Sequence, residues 1–358
     1  MREEAPTGLP LLRTSERSTF NRCRFLWNLT YNQELKPHYD MPALRYGTLI
    51  HKALAAWYVP GIKRGVHPAI TFQKVYEEEL KTASHMGFKD EDGKWQDAGE
   101  LGVAMMNHYV EEYGKDDRWK VIATELPFRT LVHRPACLTC PGRLPSCPEC
   151  HGEAGTPWFI YTGVIDGLWE DRRTKRLWIP DHKTTDGIGP STGQHLRIDD
   201  QAGAYWTWGV MALREAGFLK DEERLAGMYY NYMRKAKPDD RPFRLSERGR
   251  KIFLNLDGTP SKKQPSPYFL RLEIQRGEID RANAMARSKQ DFYEMELARQ
   301  GVTQLDKKSP GLFTCTGCPM IDVCEIHETG NDWQSVLAST TKHWDPYEAH
   351  EIYAAETK

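Results

Sequence analysis

The sequence predicts an α/β fold, and three observations carry that prediction. Several segments alternate with a period of two and are rich in β-branched and aromatic residues. Amphipathic segments with a helical period lie before and after them. The chain of 358 residues, 39% hydrophobic and 28% charged, is also long enough to bury a sizeable core, and it contains no apolar run that could cross a bilayer. A net charge of −1 excludes a uniformly basic nucleic-acid coat. The N-terminal MREEAPTGLPLLR lacks the apolar centre of a secretory signal. A reducing, cytoplasmic compartment is therefore expected, where clustered cysteines read as metal ligands before disulfides.

The elements follow in order. LRYGTLIHKALAAWY, residues 44–58, predicts an amphipathic helix with Leu44 and Leu54 inward, Gly47 permitting close packing and His51 at mid-helix. A lone histidine there is ordinarily a satisfied core or surface group. A second helix is expected over 100–114 and a strand over 119–130, whose ATELPF segment carries Glu125. YTGVIDGLWE predicts a strand over 160–170, EDRRTKR a turn, and RLWIPDHKTT a strand over 176–184. Such a hairpin brings Asp166 near Asp181. Asp181 and Lys183 share one face because strand side chains alternate, and Pro180 marks an edge or a bulge. A helix from 199 places Gln201 and Tyr205 four residues apart on one face. A strand around GMYYNYMRK and a long polar helix over 275–299 come next, and the chain after His327 reads as a helix or a loose end.

Two carboxylates and a lysine on one sheet face are poor core packing, since a buried charge needs a partner. A divalent cation between Asp166 and Asp181 supplies one, and Lys183 can then orient or deprotonate a water and stabilise charge at a phosphate. The alternative is a surface hairpin with a salt bridge. Charge is also uneven elsewhere: residues 234–251 hold eight Lys/Arg against Asp239, Asp240 and Glu247. That run is either a solvated loop or a phosphate-contacting surface.

The eight cysteines divide into two sets. Cys137, Cys140, Cys147 and Cys150 form C-x2-C-x6-C-x2-C within CLTCPGRLPSCPEC, a run that can fold around one Zn²⁺ without a hydrophobic core. Its prolines and glycines suit a tight metal turn. Cys315, Cys318 and Cys324 form C-x2-C-x5-C, one thiolate short of four. Cys23, almost the whole chain away, or His327 can complete the set. Spacing alone leaves a [4Fe–4S] cluster and zinc open for it. With Cys23 as the fourth ligand, the site would staple the two ends of the chain together.

Taken together, G-T-L-I-H at 47–51, G-V-I-D at 163–166, D-H-K at 181–183 and Q-x3-Y at 201–205 resemble the RecB-like branch of the PD-(D/E)XK nuclease superfamily. The split cysteines are similar to the iron–sulfur staple of the AddB-type and CRISPR-associated exonucleases in that branch. The resemblance implies a restriction-endonuclease-like mixed central sheet flanked by helices. It implies that His51, Asp166 and Asp181 bind a catalytic Mn²⁺ or Mg²⁺, and that Lys183 acts on the attacking water. It also implies that Gln201 and Tyr205 touch DNA, and that Cys23, Cys315, Cys318 and Cys324 hold a 4Fe-4S cluster. The resemblance further implies that Glu125 corresponds to the first acidic position of the core, serving a second ion. The zinc module departs from the family plan, and its place between two core strands suggests that it projects from the rim of the cleft.

The expected organisation is a nuclease domain over residues 1–330, a zinc-knuckle insertion over 133–157 and a C-terminal tail over 331–358. The expected activity is metal-dependent DNA hydrolysis, exonucleolytic rather than internal, on single strands or duplex ends. Such an enzyme serves end processing, recombination or phage DNA metabolism in a bacterial or phage-infected cell. The rivals are a non-catalytic DNA-end-binding module and a zinc-dependent interaction protein that docks a partner through the inserted module.

Overall fold

A computed structural model describes residues 8–38, 46–85, 89–90, 92–140, 144–148, 151–220, 223, 225–247 and 251–348. The chain begins with β1 (Leu11–Leu12), α1 (Thr14–Arg22), α2 (Arg24–Trp27) and β2 (Leu35–Pro37). A helical layer of α3 (Tyr46–Trp57), α4 (Pro68–His85) and α5 (Lys94–Tyr113) precedes the long strands β3 (Trp119–His133), β4 (Pro157–Asp171) and β5 (Leu177–Thr185). Helix α6 (Asp200–Ala204) passes through a π turn at Tyr205–Gly209 into α7 (Val210–Glu215) and on to β6 (Leu225–Arg234). A small hairpin of β7 (Phe243–Leu245) and β8 (Lys251–Phe253) leads to β9 (Phe269–Ile274) and α8 (Glu278–Arg299). Short helices α9 (Leu312–Cys315), α10 (Ile321–Glu328) and α11 (Trp333–Thr340) and strand β10 (Thr341–His343) follow.

The strands form a six-stranded mixed sheet in the order β1-β4-β5-β6-β9, with β3 paired to β4. On one face α3, α4 and α5 bury Leu49, Ile50, Phe72, Met106 and Tyr109 against Trp119, Trp169 and Trp178. On the other face, Trp208, Phe292 and Met295 pack on Phe159, Ile165 and Ile179. Each fully buried side chain of this size contributes about 1.5–3 kcal/mol. α4 and α5 approach so closely that a Cβ on Gly102 would lie 2.0 Å from the Phe72 ring.

The helix expected from residue 44 is described from Tyr46 onward, and Leu44 lies outside the described residues. A Cβ on Gly47 would meet only Thr184 Oγ1 at 3.8 Å, so packing there does not require glycine. α4 and β9 carry weak sequence signals. In α4 only Pro68, Ala69, Phe72 and Tyr76 are buried, and β9 has no buried residue at all.

The feature that positions the site is a fork beside β4. One edge of β4 pairs with β1 at Ile160 and Tyr161 and with β5 at Trp169 and Glu170. Hydrogen-bonded pairs alternate along an antiparallel ladder. Asp171 N–H bonds Arg176 C=O, so Trp169/Trp178 is the next such pair and Gly167/Pro180 would be the one after. Pro180 has no N–H to donate, and the ladder opens there. β5 lies between β4 and β6, so Pro180 is not on an edge strand as its sequence context allowed. The freed backbone finds other partners: Val164 C=O accepts from the Tyr205 hydroxyl at 2.8 Å, and the His182 amide donates to Asp166 Oδ2 at 2.8 Å.

The cysteine-rich insertion joins the outer ends of β3 and β4, where His133 pairs with Pro157. Nine residues of strand separate Pro157 from Asp166, on the order of 30 Å. The insertion thus leaves the ladder away from the cleft, not at its rim. The two ends of the described chain meet. β10 pairs antiparallel with β2, and Arg17 and Arg24 on the N-terminal helices pair with Asp291 and Glu294 of α8. The Tyr347 hydroxyl bonds Glu16 and donates to Leu11 C=O at 2.9 Å. Through Glu348 the segment beyond His327 is therefore a helix and a strand docked on the N-terminal elements; residues 349–358 lie outside the described residues.

Candidate active site

At the fork, side chains from three elements converge. His51 from α3 brings Nδ1 to 3.3 Å from Asp166 Oδ1 of β4, and its Nε2 lies 2.8 Å from the His182 carbonyl of β5. Glu125 sits between the pairs Thr124↔Gly167 and Leu126↔Ile165, and thus opposite Asp166 across the β3–β4 ladder. Donor atoms of His51, Glu125 and Asp166 lie within 4.8 Å of one another. Glu125 is also one of the few non-glycine residues with a positive φ, 46°. A bulky side chain in that region stores strain, on the order of 1–3 kcal/mol, of the kind that concentrates at functional sites.

The electrostatics are unbalanced without a cation. Burial opposes charge on His51, but Asp166, with Asp181 and Glu125 behind it, outweighs burial and pushes its pKa up to about 9. Burial would raise Asp166, yet His51 and the His182 amide hold it down at about 2. Burial and the facing Asp166 charge lift Glu125 to about 7 against the pull of His51. Like charges directly opposite on a ladder repel. An ion held by one imidazole and two carboxylates would remove that repulsion, so this donor set fits a divalent cation of the Mn²⁺ or Mg²⁺ kind.

Asp181 stands behind this triad. It is fully buried, and Lys183 Nζ lies 3.0 Å from its Oδ1 and 2.8 Å from its Oδ2. Burial, opposed by Lys183 but reinforced by Asp166, lifts Asp181 to about 6. Burial works against the Lys183 charge, and Asp181 overcomes it and raises the ammonium pKa. Lys183 Nζ also donates to Gln201 Oε1 at 2.6 Å, and Gln201 Nε2 donates to the Tyr205 hydroxyl at 2.9 Å. The face shared by Gln201 and Tyr205 thus ends on Lys183 and Val164. Both residues line a cavity of about 700 Å³ with Thr14, Ser18, Thr162 and His195. A larger cavity of about 940 Å³ between α4 and α5 contains none of the site residues.

His182 carries a part that sequence reasoning missed. Its amide grips Asp166 and its carbonyl takes His51, so its backbone ties two members of the triad together. The period-two alternation of D-H-K turns its ring to the opposite face from Asp181 and Lys183, which was the available signal. There burial pushes its pKa down to about 3 and keeps it neutral. Asn231 Nδ2 lies 3.0 Å from its Nδ1, and the Tyr58 ring stacks on it at 5.8 Å. Arg271 anchors this layer through Tyr58, Tyr109 and Asp116.

Among the described residues, Cys137, Cys140 and Cys147 form the other set of three whose donors close within 4.8 Å. The Cys137 and Cys147 sulfurs are 3.7 Å apart. A tetrahedral ion with metal–sulfur bonds of about 2.3 Å needs sulfurs about 3.8 Å apart, so the thiols fit a metal. Cys150 lies outside the described residues.

The terminal cysteines gather differently. Cys23, Cys318 and Cys324 pack against a small apolar cluster of Phe25, Leu26, Leu29, Met320, Val323 and Leu337. Burial raises the Cys318 and Cys324 thiols, and Cys23 and Cys315 are near enough to add to both shifts. No three of these four form a set as tight as the insertion's. His327, the other candidate fourth ligand, accepts from Lys308 at Nδ1 at 3.0 Å and packs against Phe25 and Trp333.

A mixed sheet that opens onto an imidazole, acidic side chains and a lysine defines a metal-ion site of the hydrolytic kind. The model of the PD-(D/E)XK nuclease superfamily matches residues 14–325, and the chain belongs to that superfamily. Members are nucleases that use divalent metals such as Mg²⁺ or Mn²⁺, so membership supports a metal-dependent nuclease with a DNA substrate. No curated protein matches the chain. None of the helices among the described residues is long and apolar enough to cross a membrane.

Proposed function

We propose that this protein is a RecB-like exonuclease that hydrolyses phosphodiester bonds at DNA ends in end processing, recombination or phage DNA metabolism. The observation that carries the reading is the convergence of His51 and Glu125 on Asp166, two facing carboxylates and an imidazole at an opening of the sheet. His51, Asp166 and Glu125 hold the divalent cation, and Asp181 completes the acidic set. When bound, that cation acidifies a water and neutralises charge on the phosphate. Lys183 keeps its proton because of Asp181, which suits it to orient the water and to stabilise charge developing at the phosphate more than to abstract a proton. Gln201 and Tyr205 fix the Lys183 ammonium and border the cavity into which the strand enters. The neutral His182 ring anchors the backbone that both metal-binding side chains grip.

In the same reading residues 1–330 form the nuclease domain. Cys137, Cys140, Cys147 and Cys150 bind structural Zn²⁺ in the 133–157 insertion. Cys23, Cys315, Cys318 and Cys324 bind a 4Fe-4S cluster, because a four-iron cube spreads its ligating sulfurs further than one tetrahedral ion does. The test of the active site is cleavage of end-labelled single- and double-stranded DNA with Mn²⁺. Asp166→Ala is expected to lower the rate on the order of a thousandfold, several kcal/mol of lost stabilisation. Equal products from the wild type and this variant would refute the assignment.

A further inference from the structure

The basic run at 234–251 belongs to a part of the molecule that the cleft does not use. Between β6 and β9 the chain makes a long excursion, residues 235–268, closed at its root by the Met233↔Phe269 pair and by Arg234 N–H to Tyr268 C=O at 2.8 Å. Most connections between elements run to only a few residues, far fewer than here. This one is anchored at the active-site end of the sheet. Lys235 N–H donates to Thr185 C=O at 2.8 Å, two residues beyond Lys183 on β5.

The excursion is built rather than loose. Phe253 is buried, and the Gln264 side chain bonds both its amide and its carbonyl, at 2.9 and 3.0 Å. Arg241 pairs with Asp239 and reaches Ser261 at 3.1 Å, and Asp257 is taken up by Thr259. Lys235 and Lys237 are spent on Asp186 and Glu100. Exposed Arg244, Lys251, Lys262 and Lys263 make no ion pair among the described residues.

On the β7–β8 hairpin, two of these cations, Arg244 and Lys251, are interleaved with uncovered apolar side chains. Phe243 is 47% exposed and Leu245 64%. Register places Phe243 opposite Phe253 and Leu245 opposite Lys251, and Lys251 Nζ stands 4.9 Å from the Phe243 ring centre. Lys251 thus shares the face of Phe243, and Arg244 emerges on the reverse of the ribbon opposite Ile252. A ribbon with an exposed ring and cations on both sides is the chemistry that takes single-stranded nucleic acid, bases stacking on rings while Lys and Arg meet phosphates.

We propose that the β7–β8 hairpin is a nucleic-acid arm that holds the single-stranded part of the substrate beyond the cleft. Arg244 and Lys251 contact its phosphates, and Phe243 supplies a stacking face. The proposal rests on the nuclease reading for its substrate, but its test does not rest on cleavage. Binding of a labelled oligothymidylate of about 20 nucleotides, longer than a single-strand site of ordinary size, is measured across salt concentrations without added divalent cation.

The combined variant Arg244→Gln, Lys251→Gln is expected to lose about tenfold in affinity at physiological salt. Its log–log salt slope is expected to shrink by about 1.4, or 0.7 for each lost phosphate contact on a single strand. Phe243→Ser is expected to lower affinity severalfold with the slope intact. Turnover of thymidine 5′-(p-nitrophenyl phosphate), too short to reach the arm, is expected to stay at the wild-type rate in both variants.

An unchanged slope in the double variant overturns the arm. So does an equal loss in a control with Lys74→Gln and Lys81→Gln on exposed positions of α4, and so does capture of a protein partner in place of the oligonucleotide. Thermal unfolding of each variant guards against a collapsed hairpin, and Arg244→Lys is expected to restore the slope where Arg244→Gln removes it. If the hairpin variants behave as expected but Mn²⁺ yields no Asp166-dependent cleavage, the nuclease reading fails and the arm stands.

Discussion

The two cysteine sets, on the proposed reading, solve one chemical problem at opposite scales. In the insertion, Cys137, Cys140 and Cys147 come from one short segment and close within 4.8 Å of one another. At the termini, Cys23 packs with Cys318 and Cys324 from the far end of the chain in an apolar cluster between the chain's two ends, and Cys315 lies near enough to raise both of those thiols. The local set needs little chain closure, so it can order around an ion by itself. A cluster held by the terminal set would close almost the whole chain, and the entropy of such a closure grows slowly with loop length. It is accompanied by other clasps, β2 on β10, Arg17 on Asp291 and Tyr347 on Glu16. A cross-link across so long a loop is a staple for the fold; one across a short segment is a scaffold for an appendage.

The largest effect that would break this comparison is at Cys23. On the proposed reading, purified wild type holds about four iron and one zinc per chain. Cys23→Ala is expected to lose the iron, keep the zinc, and lose about 2–5 kcal/mol of stability, as for a long-loop cross-link. Elemental analysis with denaturant unfolding checks it, and a colourless wild type holding two zinc ions would end the distinction between the sets.

Cys140→Ser comes second. It should empty the insertion of zinc and unfold it locally, while leaving cleavage within about threefold of wild type because the module sits far along β4 from Asp166. Cleavage lost only on particular DNA forms would instead show that the insertion guides substrate. The smallest effect belongs to His327→Ala. If Cys23 is the fourth ligand, iron content is unchanged and only the contacts with Lys308, Phe25 and Trp333 are lost, about 1 kcal/mol; loss of iron would transfer the ligand role to His327.

Much of the architecture could be read along the chain. The long strands β3 to β6 and helices α3, α5 and α8 all fall where alternation or helical periodicity put them, with shifts at their ends. Asp166, Asp181 and Lys183 were picked out by residue type and local pattern and His51 by the family resemblance, and the structure brings His51 to Asp166 and Lys183 to Asp181. Glu125 was picked out by the family resemblance alone, since residue type and local pattern make it an ordinary strand residue. Its partnership with Asp166 depends on the β3–β4 register and on its positive φ, neither of which leaves a trace in a period of two. α4 and β9 escaped notice because few of their residues are buried.

By itself the sequence determined what is local: the strand and helix periods, the face shared by Asp181 and Lys183, the spacing of each cysteine pair, and the absence from β5 of one ladder donor at Pro180. Tertiary structure alone decided how far-apart segments meet. The two-residue β1 that shares β4's edge, the hold of the His182 carbonyl on His51 and the clasp of the termini all arise from pairings between distant segments. The physical reason is that side-chain periodicity is imposed by the backbone of each element, whereas register and closure are set by which distant surfaces bury one another best.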